Sequence, residues 1–587
     1  MTTQEKLAVA ATPNGIEAST AARRLQFGCW VALIAVAVAR AWFTRYELAP
    51  DSMSYLDMAR ALAEGHPRAA INAYWSPGYP VLIALFLRLF RPNAYWEFPL
   101  VHVVNLLIFA GTLASFQVFW REAFEWHRIY ARGSETEIPE DAFWALGYAA
   151  FGIAILNIIR LGLVGPDLMV SAFAFLAGWS ALRFRRAPRI GRALLLGLVL
   201  ALGYYAKAPL FPMAAIFILG ACWQRSVSPR TVLLAGTAAV AFLLFCAPLV
   251  VALSRTDGRL TFGDSARLNE AFYIDGVQYW RHWQGGPPGS GMPTHPTRKL
   301  NDFPRIYEFT ADDMGTYPPW FAPTYWYEGI QPHLKLRRQT VVFIRNLALE
   351  FQIIMESGAA LVCVAIILAL LAGYRNRWVK GLSQLWFVWV PGAIAVLMFA
   401  LIHVEVRFLG GWLVMLFAGS VCACLLPADA GTRRAVRYIG AAALITAGAA
   451  VLLQASREAI GIDRAAGRSP QEALIAAGLL QNGLHPGDHI AIIDDGTGAY
   501  WAHLARLRII AEIPAGNGSH LSALDFWESG PEVQQRALGI LERTGAKAVI
   551  AGSPEDSPAA SAPSIVRPSW KKIDETSAYV YFFHGER

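Results

Sequence analysis

The sequence predicts a polytopic α-helical membrane protein with about 11 transmembrane helices, short helices lying outside the bilayer, and a small C-terminal α/β domain. Three observations predict it. The chain is 587 residues long, 55% hydrophobic and only 16% charged. Apolar runs recur at close to the roughly 20 residues that span a bilayer. After residue 455 the pattern changes to short apolar runs alternating with amphipathic stretches, the signature of strands alternating with helices.

The spans fall near 25–43, 96–118, 142–160, 167–184, 192–206, 209–223, 231–253, 357–373, 383–402, 406–426 and 436–454. Basic residues set the orientation. With residues 1–24 taken as a cytoplasmic tail, the cytoplasmic loops collect Arg121, Arg128 and Arg132, then Arg183, Arg185, Arg186, Arg189 and Arg192. Arg225 and Arg230 follow, then Arg375, Arg377 and Lys380, and last Arg433, Arg434 and Arg437. The opposite short connections hold only Arg160, Lys207 and Arg407, as the positive-inside rule expects. Eleven crossings put 456–587 outside. Arg23-Arg24 precedes a run too long for a cleaved leader, so the first span reads as an uncleaved anchor.

The net charge of +8 reflects this loop bias and calls for no nucleic acid. All six cysteines lie within predicted spans, which leaves none for a disulfide in the exported parts and none with metal-ligand spacing. Abundant Ala, and Arg in excess of Lys, point to a GC-rich bacterium, and so to a bacterial inner membrane.

Within the membrane domain, 25–455, two outer loops stand out. The first, 44–95, carries an amphipathic helix over 52–64, with Tyr55, Met58, Ala59 and Leu62 on one face and Asp57 toward solvent. Residues 81–90 are apolar but too short to cross, and read as an interfacial helix. The second loop, 254–350, is crowded with Trp, Tyr, Pro and Gly, and its centre, 285–291, suits neither helix nor strand. Its aromatics, Trp326 among them, read either as an interfacial belt or as faces for a sugar ring or acceptor. In the C-terminal domain, strands are expected at 489–493, 508–513 and 546–551, helices at 499–507 and 531–544, and a closing strand or hairpin at 571–583. The turn Asp494-Asp495-Gly496-Thr497-Gly498 lacks the full dinucleotide fingerprint, so an accessory or acceptor-recognition role fits better.

Charged residues gather at the outer ends of the spans. Asp51 follows the first span and Asp167 opens the fourth; Lys207 separates the fifth and sixth; His403, Glu405 and Arg407 join the ninth and tenth. Each has two readings. Asp51 is either the N-cap of a helix beginning at Ser52, assisted by Ser54, or a free carboxylate able to take a proton. Asp167 either suits the dipole at a helix start or is a catalytic residue that orients Asp51 or the acceptor. Lys207 either snorkels or binds an anion. Arg407 either bridges to Glu405 or Glu350 or presents its fork to phosphate, and His403 makes a local hydrogen bond.

The segments Asp51-Ser52-x-x-Tyr55, Trp75-Ser76-Pro77-Gly78-Tyr79-Pro80, Gly165-Pro166-Asp167, Ala206-Lys207-Ala208-Pro209 and Glu405-x-Arg407-Phe408 occur in this order over the first three quarters of the chain. As an ordered set they resemble GT-C glycosyltransferases that use lipid-phosphate sugars, such as the protein O-mannosyltransferases and the lipid A aminoarabinose transferase. The resemblance implies an inverting transfer of a hexose or pentose from a polyprenyl-phosphate donor to an extracytoplasmic glycan, lipid or protein. Asp51 matches the family's first-loop catalytic aspartate and Asp167 its second acidic position. Lys207 and Arg407 match cations that meet the lipid phosphate. Tyr55, Trp75, Tyr79, His403, Glu405 and Trp326 are the expected substrate-binding residues. The first-loop motif reads Asp51-Ser52 where the protein O-mannosyltransferases have Asp-Glu, so protein mannosylation is not implied. Family members differ on a divalent cation, and no cofactor follows from these residues. The rival readings are a transporter or flippase of a lipid-linked or anionic solute, and a non-catalytic scaffold. The first would place charges near mid-bilayer, where this sequence has almost none.

Overall fold

A computed structural model describes residues 19–131, 137–223, 228–277, 290–291, 293–295, 297–309, 315–372, 377–427, 429–461, 470–515, 522–552 and 570–583. The expected cytoplasmic tail up to residue 18, Arg132, Arg225 and Arg375, and 285–289 of the glycine-rich centre lie outside them. The chain forms two compact units, each discontinuous in sequence. One holds residues 1–44, 102–262 and 335–464; the other holds 45–101, 263–334 and 465–587.

In the first unit an apolar helix stands at each predicted span. Among the described residues, seven helices are long and apolar enough to cross a membrane: Thr20–Phe43, Ala94–Ala131, Glu140–Ile159, Asp167–Arg186, Pro229–Thr256, Leu336–Leu371 and Ala430–Ile460. The other four predicted spans are shorter apolar helices, Ile190–Ala206, Leu210–Cys222, Trp386–Ile402 and Val406–Cys422. Capping residues fix several starts. Ser19 accepts from the Ala22 amide at 3.2 Å, Ser228 from Thr231 at 3.1 Å, and Asp429 from Thr432 at 2.7 Å. Small residues let the helices approach closely. An added Cβ at Gly197 would lie 2.5 Å from the Ala238 carbonyl oxygen, and one at Gly392 2.8 Å from that of Trp412. Arg40 is fully buried near the end of the first helix. It forks onto Glu458 of the last, with Nε to Oε2 at 2.8 Å and Nη2 to Oε1 at 2.5 Å, and its Nη1 donates to the Leu156 carbonyl at 2.6 Å.

Among the described residues, the second unit is built on a seven-stranded mixed sheet. Its strands are β1 (Arg298–Asp302), β2 (Arg305–Glu308), β3 (His489–Asp494), β4 (Arg508–Pro514), β5 (Ala548–Ala551), β6 (Lys571–Lys572) and β7 (Tyr579–Phe582), in the order β1-β2-β4-β3-β5-β7-β6. β3 runs parallel to β4 and β5; the other pairs are antiparallel. Ile490, Ala491, Ile492 and Ile493 are all buried, as expected where both faces of a central parallel strand are covered. On one side Ile306, Ile493, Ile510 and Ile513 pack with Phe526, Trp527, Ala537 and Leu541 of the helices Ser522–Glu528 and Pro531–Glu542.

The strands expected after residue 488 are present, and 571–583 is a hairpin. β1 and β2 were not expected, because the 254–350 segment reads as loop-rich. They are short and mostly charged, with only Ile306 and Tyr307 buried in β2, so they carry no alternating pattern. They form because β4 offers them a partner, Tyr307 and Glu308 pairing with Glu512 and Ala511.

The same unit holds the first-loop helices Pro50–Ala63 and Gly78–Phe90 and the start of the Ala94–Ala131 helix. Gly78–Phe90 buries Tyr79, Ile83, Ala84 and Leu87 and leaves Val81, Leu85 and Leu89 exposed in a stripe at i, i+4, i+8, the form of an interfacial helix. Pro50–Ala63 departs from its expected amphipathic character. Every residue from Ser52 to Ala59 is buried, so Asp57 does not face solvent.

Candidate active site

Three separate stretches of the first unit bring their charges to one point. Pro166 precedes the helix Asp167–Arg186, which places Asp167 in its first turn, where a carboxylate is favoured by the unpaired amides. Lys207 is the residue after Ile190–Ala206 and is extended, so its side chain leaves the helix axis. Its ammonium binds Asp167 Oδ1 at 2.7 Å. Arg407 opens the helix Val406–Cys422 and sets Nε 3.7 Å from Asp167 Oδ2 and 2.7 Å from Glu405 Oε2. The Phe408 ring lies beneath both cations, 4.2 Å from Lys207 Nζ and 5.6 Å from Arg407 Cζ. An added Cβ at Gly165 would lie 3.6 Å from Asp167 Oδ2 and 3.7 Å from Arg407 Nη1, which puts the turn itself against the pair.

His403 completes the group, its Nε2 3.3 Å from Glu405 Oε1. Burial works against a charge on Glu405, but the His403 hydrogen bond and the Arg407 charge outweigh it and hold its pKa down to about 2. Of the two partners the sequence offers Arg407, Glu405 is the one engaged. Glu350 is buried with one carboxylate oxygen lacking a hydrogen-bond partner among the described residues. The Lys207 side chain stays 21% exposed and that of Glu405 40%. The group is therefore a pair of fixed cations held by two carboxylates, Asp167 between them and Glu405 on Arg407, and partly exposed. Such an arrangement can hold an anion whose charge grows during a reaction.

Asp51 belongs to the second unit. It is not the N-cap. The helix starts at Pro50 and Ala49 is the cap position, where Ser52 Oγ accepts from the Ala49 amide at 2.8 Å. Ser54, expected to assist, instead donates to the Trp320 carbonyl at 3.0 Å. Capping thus falls to Ser52, and the Asp51 carboxylate sits half-buried in the first turn.

The motif aromatics form a packed cluster. Tyr55 meets Trp75 at 5.2 Å and Tyr79 at 5.7 Å between ring centroids, and Trp75 meets Trp320 at 5.4 Å. Trp75 Nε1 donates to the Trp320 carbonyl at 2.9 Å, and Asn72 Oδ1 accepts from the amides of Tyr74 and Trp75. With Tyr79 wholly buried and Tyr55 and Trp75 nearly so, these rings shape the loop and offer no open face to a sugar. Trp326 is likewise buried. Its neighbour Tyr325 is 42% exposed and stacks on His295 at 4.2 Å.

Sequence reasoning missed the residues around Asp57. Its carboxylate accepts from the Thr316 amide at 2.7 Å and the Thr316 hydroxyl at 2.8 Å, and its Oδ1 lies 2.6 Å from His503 Nδ1. His503 Nε2 lies 2.8 Å from Glu97 Oε1, and Arg60 pairs with Glu97. One signal was available: His503 stands among Trp501, Ala502, Leu504 and Ala505, an apolar setting in which a histidine needs a partner.

No protein-family model matches the chain, and no curated protein matches it in sequence. Among solved structures it is similar to ArnT from Cupriavidus metallidurans in the apo state, at 13% identity over 94% of this chain and 97% of that one, with a TM-score of 0.47. The same protein bound to undecaprenyl phosphate aligns at 12% identity over 94% and 98%, with a TM-score of 0.46.

Proposed function

We propose that the chain is an inverting membrane glycosyltransferase that moves a hexose or pentose from a polyprenyl-phosphate donor to an extracytoplasmic glycan, lipid or protein. The observation that carries this reading is the convergence of Lys207 and Arg407, from two different helix ends, on Asp167. The ordered motifs that supply these residues also supply Asp51.

In the proposed reaction the acceptor hydroxyl oxygen attacks the anomeric carbon from the face opposite the phosphate. Its proton passes to the Asp51 carboxylate, and the bond between C1 and the phosphate oxygen breaks with inversion. The departing polyprenyl phosphate gains negative charge, which Lys207 and Arg407 neutralise. Asp167 keeps the Lys207 ammonium in place, and Glu405 does the same for the Arg407 fork. The exposed apolar stripe of Gly78–Phe90 supports contact of the first loop with the bilayer, where the donor's lipid tail would lie. By the distribution of basic residues, this chemistry would take place on the outer face of a bacterial inner membrane, with the N-terminus cytoplasmic.

The test compares lipid extracts from cells expressing wild type or Asp51→Asn at equal membrane levels, with polyprenyl-phosphate sugars quantified by mass spectrometry. Accumulation of one lipid-linked sugar in the mutant supports transfer and identifies the donor. Matching extracts, with a deletion strain differing from both, would remove the base from Asp51 and favour transport.

A further inference from the structure

The buried group around His503 joins the C-terminal sheet segment to the helix that carries Asp51. His503 is on the short helix Tyr500–Ala505 that connects β3 to β4, and its side chain is 1% exposed. Its two ring nitrogens meet two carboxylates, Asp57 at 2.6 Å and Glu97 at 2.8 Å, and Arg60 Nη2 stands 3.3 Å from the nitrogen that faces Glu97. An ionised carboxylate only accepts hydrogen bonds, so both contacts are satisfied only when both ring nitrogens carry protons. With Arg60 paired to Glu97, the group then holds two positive and two negative charges and is neutral. A neutral imidazole would turn a lone pair toward one buried carboxylate and leave the group with a net negative charge, a costly state away from water. Burial and the Arg60 charge oppose protonation of His503, but its hydrogen bonds to Asp57 and Glu97 prevail and raise its pKa above the ordinary histidine value. The other charged groups on or beside its helix are engaged elsewhere: Glu472 accepts from the Trp501 amide at 2.8 Å, and Arg506 pairs with Glu64 at 3.3 Å.

Asp57 lies on the same helix as Asp51, six residues on, or about 9 Å along the axis. Between them Ser54 is tied to the Trp320 carbonyl. We propose that His503 is a positioning residue: its imidazolium, gripping Asp57 and Glu97 together, holds the Pro50–Ala63 helix and so fixes the Asp51 carboxylate for proton transfer. The C-terminal segment is on this account part of the machinery that aims the base. The inference rests on the transferase reading for what Asp51 does, but the grip itself can be measured without it.

A histidine whose folded pKa is raised contributes fully below its unfolded value, and its contribution is lost as pH rises through the folded value. The full-length protein in lipid nanodiscs is followed by hydrogen–deuterium exchange, corrected for intrinsic rates, at pH 6 and pH 9. Wild type should exchange the 50–63 helix about tenfold faster at pH 9, with β3, β4 and β5 unchanged. His503→Gln, which can donate to only one carboxylate, should show the faster exchange at both pH values and, in cells, accumulate the same lipid-linked sugar as Asp51→Asn. Should His503→Gln disturb the sheet, Glu97→Gln decides instead. It removes one anion from the imidazolium, so the step in exchange should move to lower pH, a shift that a purely space-filling histidine would not give. Exchange of 50–63 that is the same at both pH values in wild type, or unaltered in His503→Gln, would overturn the inference. If Asp51→Asn accumulates no lipid-linked sugar, the transferase reading fails, and the exchange measurements still decide whether His503 holds the helix.

Discussion

Lys207 and Asp167, 40 residues apart in the chain, close a 2.7 Å ion pair at the meeting of two helix ends, with Arg407 3.7 Å from the other carboxylate oxygen. The pair fixes an ammonium that would otherwise swing on four methylenes. If the ammonium neutralises a departing phosphate, Lys207→Met should lower turnover of a lipid-phosphate sugar by about 10²-fold, the usual loss when one aimed donor is removed from a developing charge. Asp167→Asn should cost less, because the ammonium remains but is no longer held. Steady-state rates with the donor identified in cells would check the order. Equal rates for wild type and Lys207→Met would remove the phosphate role.

Asp51 and Ser52 are adjacent but carry different burdens, and substitution should separate them. Ser52 Oγ caps the Pro50–Ala63 helix, so Ser52→Ala should cost about 1 kcal/mol of stability. Asp51→Asn leaves that cap intact. It should leave the thermal midpoint nearly unchanged while transfer falls by about 10²–10⁴-fold, the range typical of a lost general base. A midpoint for Asp51→Asn lowered as far as that of Ser52→Ala would show that Asp51 serves the helix instead.

These residues also mark how far the sequence could be read. The helices and the charges at their ends were visible because apolar length and basic loops have strong, local signatures, and Asp167, Lys207 and Arg407 meet as their shared level in the chain suggested. The environment of the first-loop helix was not visible. Its pattern looked half-exposed because Asp57 and Arg60 are charged, and partners hundreds of residues away, His503 and Thr316, explain the burial of Asp57. The family resemblance casts Tyr55, Trp75 and Tyr79 as substrate-binding residues, and nothing local in the sequence shows that their rings pack edge-to-face on one another. β1 and β2 stayed hidden for a related reason: short charged strands exist only through the partner that pairs with them.

Glu472 makes the stability of the protein depend on pH. Burial pushes its carboxyl up to about 7, with nearby Asp494 adding to the shift, although the hydrogen bond from the Trp501 amide opposes it. A carboxyl whose folded pKa is raised binds more protons folded than unfolded. Stability should therefore fall as pH rises from about 4.5 to about 7, and level off above. Glu472→Gln keeps an oxygen for the Trp501 amide and removes the ionisation. It should stabilise the protein at pH 8 by about 3 kcal/mol, with little change at pH 4.5. Midpoints measured at the two pH values check this, and an equal shift at both would assign the effect to packing.

Arg40 and Glu458 join the first and last of the membrane-length helices. Both side chains are buried, and the guanidinium also serves the Leu156 carbonyl, so the pair satisfies three acceptors at once. Arg160 approaches Glu458 at 3.8 Å but is only a partial substitute. Removing one member leaves a buried charge without its partner, and Arg40→Ala should cost about 3–5 kcal/mol. The pair as a whole should matter far less than either half. Arg40→Met combined with Glu458→Leu, of similar volume and no charge, should recover most of the loss, because desolvation of the two ions offsets most of their attraction. A double-mutant cycle on the thermal midpoint in detergent would show this as strong coupling. If the double variant is as unstable as Arg40→Ala, the structural weight lies in the hydrogen bond to the Leu156 carbonyl, and the helix ends depend on the guanidinium itself.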